Sequence, residues 1–73
     1  MNGLTILINK NVKMSPGKTA SQAVHAALAY FGIEHGAVIV LTASPNKIKN
    51  CRVIVKDAGL TEVQPGTMTA GIE

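Results

Sequence analysis

Residues 13–27 read KMSPGKTASQAVHAA, and this stretch decides how the rest of the chain is arranged. Two lysines, Lys13 and Lys18, flank a tight Pro-Gly loop that opens into an alanine-rich helix. Ser15 is a suitable N-cap, because a serine side chain accepts a hydrogen bond from an N–H of the first helical turn. The beginning of a helix carries partial positive charge and free N–H groups. The stretch therefore predicts an anion-binding spot, most simply for a phosphate.

Apolar runs on both sides of this helix predict the fold class. Residues 4–9 and 36–42 are apolar and rich in β-branched side chains, so strand, helix and strand follow one another. Such a succession favours parallel pairing through a right-handed crossover. Residues 51–56 predict a third strand and residues 67–72 a short fourth one. We expect an α/β fold, with a small mixed β-sheet of about four strands and one main helix on a strand-helix-strand crossover, as a single domain over 1–73.

The segments between these elements carry their own signals. The main helix is predicted over 18–31, and Gly32 is placed to end it. Residues 44–50 predict a turn, because the segment is short and contains helix-breaking residues. Asp57 is expected to cap a turn, and residues 65–66, a Pro-Gly pair, predict a type II turn.

Two faces of the helix differ in their chemistry. Lys18, Gln22 and His25 recur at helical spacing and form a polar stripe. Ammonium, amide and imidazole groups in one stripe suit phosphate binding or acid–base chemistry, and the same stripe is also typical of a solvated helix surface. Another face is apolar and predicts the contacts with the core, through Ala20, Val24, Ala27, Leu28 and Phe31.

Charge and composition narrow the classes of function. The formal net charge is +3, and the chain up to Ile33 holds three lysines and no carboxylate. This basic excess favours polyanionic partners, nucleic acid above others, although lysines needed only for solubility produce the same charge. The sequence has no apolar run of membrane-spanning length and no secretory signal, so we expect a cytoplasmic protein. Because so short a chain buries little surface, we also expect a homodimer.

Metal, thiol and nucleotide chemistry find little support in the sequence. His25 and His35 are ten residues apart, with no Cys or carboxylate at ligand spacing beside either, so no metal site is predicted. Cys51 stands alone in an apolar run and is interpreted as a small buried hydrophobe, with a reactive thiol as the alternative. Residues 17–19 read Gly-Lys-Thr but lack the earlier glycine of a phosphate loop, which excludes that class of nucleotide site.

Three sequence blocks together resemble the type 2 peptidyl-tRNA hydrolases. In chain order they are Lys13-Met14-x-x-Gly17-Lys18 after an apolar strand, Ala20-x-Gln22-x-x-His25-Ala26-Ala27 on the helix, and Lys56-Asp57-Ala58-Gly59-Leu60-Thr61 followed by Pro65-Gly66-Thr67-x-Thr69. The last block is the most specific of the three. Any one block alone would be a weak signal, whereas all three in order are a strong one.

The resemblance implies an enzyme that hydrolyses the ester bond between peptide and tRNA, without a metal or an organic cofactor. Asp57 and Thr61 would position the attacking water, and a lysine would stabilise the oxyanion or hold a phosphate. Plain turn and loop roles are the alternatives for these two residues. We expect catalytic roles for Lys13, His25, Asp57 and Thr61, and substrate-binding roles for Lys18, Gln22, Lys10 and Thr67.

The chain also departs from the family pattern. Asn9 and Asn11 stand where members usually carry an arginine and an acidic residue. The second long helix is reduced to residues 44–50, so we expect a shortened member that lacks this helix and the C-terminal segment. Two other functions stay open: a non-catalytic tRNA- or ribosome-binding module of the same fold, and a structural or partner-binding protein whose basic face is merely solvated.

Overall fold

A computed structural model describes residues 3–59 and 62–73, and the contacts within it divide the chain into two compact units. The first unit is Met1–Leu41 and the second is Thr42–Glu73. The first holds the main helix, and the second holds a short helix and two strands. The expectation of a single domain over residues 1–73 stays a prediction.

The main helix begins on the residues that the sequence marks for it. Helix α1 spans Pro16–Phe31. Ser15 is its N-cap, with extended backbone, and its Oγ accepts the backbone N–H of Lys18 at 3.2 Å. The helix starts two residues earlier than predicted, because a proline tolerates the first helical position, where no N–H is needed. No helix of the described residues has the length and apolarity to cross a membrane.

The main helix ends at Gly32, as predicted. Gly32 is left-handed, with φ of 69°. The N–H of Ile33 donates to the carbonyl of Leu28 at 3.0 Å, and the N–H of Gly32 donates to that of Ala29 at 3.1 Å. This pair of bonds is a Schellman motif, which satisfies the last carbonyls of the helix and turns the chain away from the helix axis.

After this reversal the chain runs back along one face of α1. Ser21 Oγ donates to the carbonyl oxygen of Val38 at 3.0 Å. One turn earlier, a Cβ atom built at Gly17 would lie 3.0 Å from the carbonyl oxygen of Val40, so the glycine permits a close approach of the two backbones. Ser21 is the residue with least exposure, 7%, in the part of the chain that the structure describes. The return segment is therefore held by backbone contacts on the face of Gly17 and Ser21.

Two antiparallel strands form the sheet of the second unit. Strand β1 is Val53–Lys56 and strand β2 is Met68–Ile72. Val53 pairs with Ile72, and the register shifts between Val55 and Lys56. The third and fourth predicted strands are thereby confirmed, with slightly narrower bounds.

The structure has no strand at the positions of the first two predicted strands. Residues 4–9 and 36–42 adopt neither helix nor strand in the described structure, and Leu7 and Ile39 expose 88% and 79% of their surface. The structure thus shows a small helix-and-sheet protein with two strands and one main helix. The four-stranded mixed sheet and its parallel crossover stay predictions, because no backbone ladder joins these two segments.

The segment predicted as a turn contains a short helix. Helix α2 spans Pro45–Lys49, and Ser44 Oγ caps it by accepting the N–H of Lys47 at 3.3 Å. The expectation of a turn at 44–50 was wrong for these five residues. A Ser-Pro pair starts α2 in the same way that Ser15 and its proline start α1.

The apolar face predicted for α1 is only partly covered. Val24 exposes 39% of its surface and Phe31 exposes 59%, whereas the return segment contacts the face of Gly17 and Ser21 instead. Among the described residues no hydrophobic side chain is fully buried. The returning backbone is held at Gly17 and Ser21, along one edge of the predicted apolar face, and leaves Val24 and Phe31 exposed.

We predict that Ser21→Ala lowers the free energy of unfolding by about 1 kcal/mol, because the part-buried carbonyl of Val38 loses its donor. This is the net change. Alanine is the better helix former, and its propensity alone would raise stability by about 0.5 kcal/mol, which offsets part of the loss of the hydrogen bond. Urea denaturation followed by far-ultraviolet circular dichroism measures the change. Ala29→Ser, at an exposed position of the same helix, measures the propensity difference alone. Unchanged or increased stability of Ser21→Ala would contradict the role of this hydrogen bond.

Candidate functional site

An open groove lies between the N-terminal segment and α1 within the first unit. Its volume is about 460 Å³. Two of its lining residues, Asn9 and Gln22, are polar, and the others are apolar: Leu7, Ile8, Val12, Met14 and Ala26. Apolar walls with a few polar groups are typical of ligand-binding clefts. Gln22 was predicted as a substrate-binding residue, and it lies in this groove.

Asn9 organises the turn at the rim of the groove. Its Oδ1 accepts the N–H of Asn11 at 3.0 Å, and its carbonyl accepts the N–H of Val12 at 3.2 Å. These bonds form an Asx turn that carries Lys10. From the sequence, Asn9 was interpreted only as a departure from the family pattern, and its contribution to the groove was missed. The Asn-x-Asn spacing was the signal that could have identified it.

Lys13 and Lys18 flank the start of α1 in sequence, Lys10 lies in the preceding turn, and all three predicted lysines are exposed. The backbone donors beside them are largely used within the helix. Pro16 has no N–H, the N–H of Lys18 bonds Ser15 Oγ, and that of Thr19 bonds the carbonyl of Ser15. An anion at this position would therefore be held mainly by ammonium groups and by the remaining N–H of Gly17. Fewer backbone N–H groups are thus free to bind an anion here than the sequence predicts.

The polar stripe of α1 is not a uniformly solvated surface. Lys18 is exposed, whereas Gln22 and His25 are half-buried. The ring of His25 lies beside that of His35, with ring centroids 5.0 Å apart and planes tilted by 35°. The contact between these histidines was not predicted from the sequence, because ten residues separate them. The glycine that ends α1 at position 32 was the signal for the chain reversal that does so.

In the second unit, Asp57 is fixed by its backbone and its side chain together. Its N–H donates to the carbonyl of Thr67 at 2.8 Å, and its own carbonyl accepts the N–H of Gly66 at 2.7 Å. Its Oδ2 accepts the N–H of Gly59 at 2.6 Å. The turn-capping role expected for Asp57 is therefore confirmed. One carboxylate oxygen serves the turn, and Oδ1 is the atom that can orient a water or a substrate group.

Two turns support this aspartate. The N–H of Thr67 donates to the carbonyl of Gln64 at 3.1 Å across Pro65 and Gly66, and the φ of Gly66 is 81°. These values confirm the predicted type II turn. Gly59 has φ of 79°, and a Cβ atom there would overlap Pro65. The two turns therefore pack directly on each other and set the position of Asp57.

Cys51 has mainly a packing role. It is half-buried, and its Sγ donates to the carbonyl of Lys47 at 3.5 Å. A Cβ built at Gly71 would lie 2.8 Å from this sulfur, so the thiol fills the space beside β2. These contacts favour the structural interpretation of the cysteine over the reactive one.

The predicted site residues fall in two groups. The first unit carries Lys10, Lys13, Lys18, Gln22 and His25, and the second carries Asp57 and Thr67. Within the second unit, Asp57 and Thr67 are brought together by a backbone hydrogen bond. Thr61, predicted to act with Asp57, lies outside the described residues. The expected convergence of both groups on one cleft stays a prediction.

Comparison with known proteins identifies the family. The peptidyl-tRNA hydrolase of Methanococcus maripaludis strain C6 is 32% identical over 90 residues, which take in 89% of this chain and 78% of that protein. The chain belongs to the peptidyl-tRNA hydrolase family. The peptidyl-tRNA hydrolases of strains C7 and S2 of the same species are similar to the same extent, at 32% and 31% identity. No protein-family model and no solved structure matches the chain.

The relatives are longer than this chain within the aligned region. The alignment with the peptidyl-tRNA hydrolase of strain C6 runs over 90 residues, whereas this chain has 73. That relative therefore contains residues that have no counterpart here. The length difference agrees with a shortened member of the peptidyl-tRNA hydrolase family. At the position expected for the long second helix, the structure has the five-residue helix α2.

We predict that Gly59→Ala destabilises the second unit more than Gly66→Ala does. Both glycines have positive φ, so an alanine at either position costs about 1–2 kcal/mol. At Gly59 the new Cβ would also collide with Pro65, whereas at Gly66 the same position is open. This overlap adds about 1–3 kcal/mol.

The difference between the two midpoints in urea denaturation isolates the contact between the turns. Gly66→Ala is the matched control, because it shares the backbone cost and lacks the collision. Equal losses in the two variants would show that packing of Gly59 on Pro65 does not hold the Asp57 turn.

Proposed function

We propose that this chain hydrolyses the ester bond between peptide and tRNA in peptidyl-tRNA and releases free tRNA. The observation that carries the proposal is the 32% identity to a protein named peptidyl-tRNA hydrolase across 89% of the chain. Asp57, which is half-buried and held by two backbone hydrogen bonds and one carboxylate hydrogen bond within the most specific sequence block, supports it.

The proposed reaction is direct attack of water on the ester carbonyl. A new C–O bond forms from the water, the bond to the ribose oxygen breaks, and the proton lost by the water is returned to that oxygen. Asp57, with Thr61, orients the water, since its Oδ2 is already used by the turn and Oδ1 has a fixed direction. Lys13 stabilises the oxyanion, and His25 exchanges a proton with the leaving ribose oxygen.

Substrate binding in this proposal relies on charge and on the groove of the first unit. Lys18, in the first turn of α1, and Lys10, in the turn before it, are exposed and attract phosphates of the tRNA, as their charge favours. The amide of Gln22 supplies a polar contact within a mostly apolar groove. On the second unit, Thr67 lies next to Asp57 and completes the binding residues.

The proposed enzyme acts as a homodimer in the cytoplasm, where tRNA is its partner. Large apolar side chains remain exposed in the first unit, with 88% exposure at Leu7, 79% at Ile39 and 81% at Leu41. Burying such side chains against a second copy would add hydrophobic stabilisation of about 25 cal/mol per Å². This exposure supports the dimer.

We predict that Asp57→Asn lowers kcat/KM for an N-acylated aminoacyl-tRNA at least a hundredfold, because the water loses a charged acceptor. Asparagine still offers a side-chain oxygen to the N–H of Gly59, so the turn is retained. The rate of ester cleavage, measured on purified substrate beside the spontaneous rate, gives the result.

Glu73→Gln is the matched control, because it removes a carboxylate whose side chain is 81% exposed and whose contact is a surface ion pair with Lys47. It should leave cleavage unchanged. An unchanged rate in Asp57→Asn would remove Asp57 from the mechanism. Salt-sensitive tRNA binding without any cleavage by the unaltered chain would instead establish the non-catalytic binding module.

We predict that Lys18→Ala raises KM and leaves kcat within about twofold, since it removes a phosphate contact and no reacting group. The slope of log affinity for tRNA against log salt should fall by about 0.7–0.9 for one lost contact. Lys47→Ala is the control, because Lys47 is exposed but already paired with Glu73 at 3.4 Å. Equal salt slopes for the two variants would contradict a specific role for Lys18.

A further inference from the structure

The rings of the two histidines of the chain lie side by side. Their ring centroids are 5.0 Å apart. With a Zn–N bond of about 2.1 Å, the metal lies about 3.2 Å from each ring centroid, and imidazoles on adjacent tetrahedral positions have centroids about 5 Å apart. The observed separation matches that of two rings on one metal ion, and it also matches ordinary ring packing, so the distance permits a shared metal and does not require one.

The hydrogen bond of His35 fixes which of its nitrogens is available. Nδ1 lies 2.7 Å from the carbonyl oxygen of Gly36. A carbonyl can only accept, so Nδ1 carries the proton and the lone pair is on Nε2. Metal-binding histidines characteristically donate their second ring N–H to a backbone carbonyl or a carboxylate in this way, which orients the ring and fixes its tautomer.

The backbone places both rings without help from the metal. His25 is on the face of α1 that also carries Ser21, and the return segment is fixed there by the Ser21–Val38 hydrogen bond. The Schellman motif at Gly32 sets the reversal between the two histidines. A pair held by the fold in this manner binds a metal with little loss of conformational entropy.

We propose that His25 and His35 form a two-histidine site for a divalent metal of the zinc type; because a metal on His25 would compete with the proton exchange that the proposed ester hydrolysis assigns to this residue, the site would be inhibitory. Imidazole suits Zn²⁺, Ni²⁺ and Cu²⁺, whereas Mg²⁺ requires oxygen ligands. No group of three or more His, Cys, Asp or Glu residues that could hold a metal occurs in the described ranges. The protein therefore contributes two ligands, and water completes the coordination.

Calorimetric titration of the full chain with ZnCl₂ tests the site. One Zn²⁺ is expected per chain, with MgCl₂ giving no binding at the same concentrations. His25→Gln and His35→Gln should each weaken Zn²⁺ binding at least tenfold, because either change leaves a single ligand. Far-ultraviolet circular dichroism confirms that α1 is retained in each variant. Zn²⁺ should raise the Tm of the unaltered chain and not that of His35→Gln.

Cys51→Ser is the matched control, because a cysteine thiolate could also bind Zn²⁺ and would have to be distinguished from the histidines. It should bind Zn²⁺ as the unaltered chain does. The proposal is overturned if Cys51→Ser abolishes binding, if His35→Gln binds with unchanged affinity, or if the stoichiometry shows two independent one-histidine sites. The titration contains no tRNA, so its outcome is separate from that of the hydrolysis assay.

Discussion

The left-handed turn at Gly32 is the constraint on which the first unit depends. Its φ of 69° closes α1 with two hydrogen bonds and sends the chain back along the helix. The Ser21–Val38 hydrogen bond and the close approach of Val40 to Gly17 both require that reversal. A residue with a Cβ atom at position 32 would favour a different exit, because the left-handed region is costly for any side chain. One backbone angle thus places the return segment on its helix face.

The turn-capping role of Asp57 is compatible with the catalytic role proposed for it. A carboxylate free to rotate would orient a water poorly, whereas one oxygen bound to the N–H of Gly59 gives the other oxygen a defined direction. The backbone of the same residue is held from both sides by Thr67 and Gly66. The hydrogen bonds that cap the turn would therefore also preorganise Asp57 for the water positioning proposed above.

The caps of α1 and the turns near Asp57 were predicted correctly from the sequence, whereas contacts between segments distant along the chain were not. Ser15, Gly32 and the Pro-Gly turn were identified correctly, because each acts through hydrogen bonds within a few residues along the chain. The helix at 44–50 was missed although its Ser-Pro start repeats that of α1. The neighbour of His25 could not be predicted, since the direction in which the chain leaves Gly32 is a property of the tertiary structure. Spacing within a helix identifies a face but does not determine what covers it.

The hydrogen bonds that hold Asp57 are all made by residues of the two neighbouring turns and of β2's approach, so they do not depend on a long second helix. The bonds that fix Asp57 come from Gly59, Gly66 and Thr67, and none comes from the segment at 44–50. Replacing a long second helix by the single turn of α2 therefore removes no hydrogen bond seen at this aspartate. Many large apolar side chains of the described residues are exposed, as expected of a chain too short to bury much surface. The conformation at Asp57 is thus set by hydrogen bonds close along the chain, whereas burial depends on how much chain is available to pack.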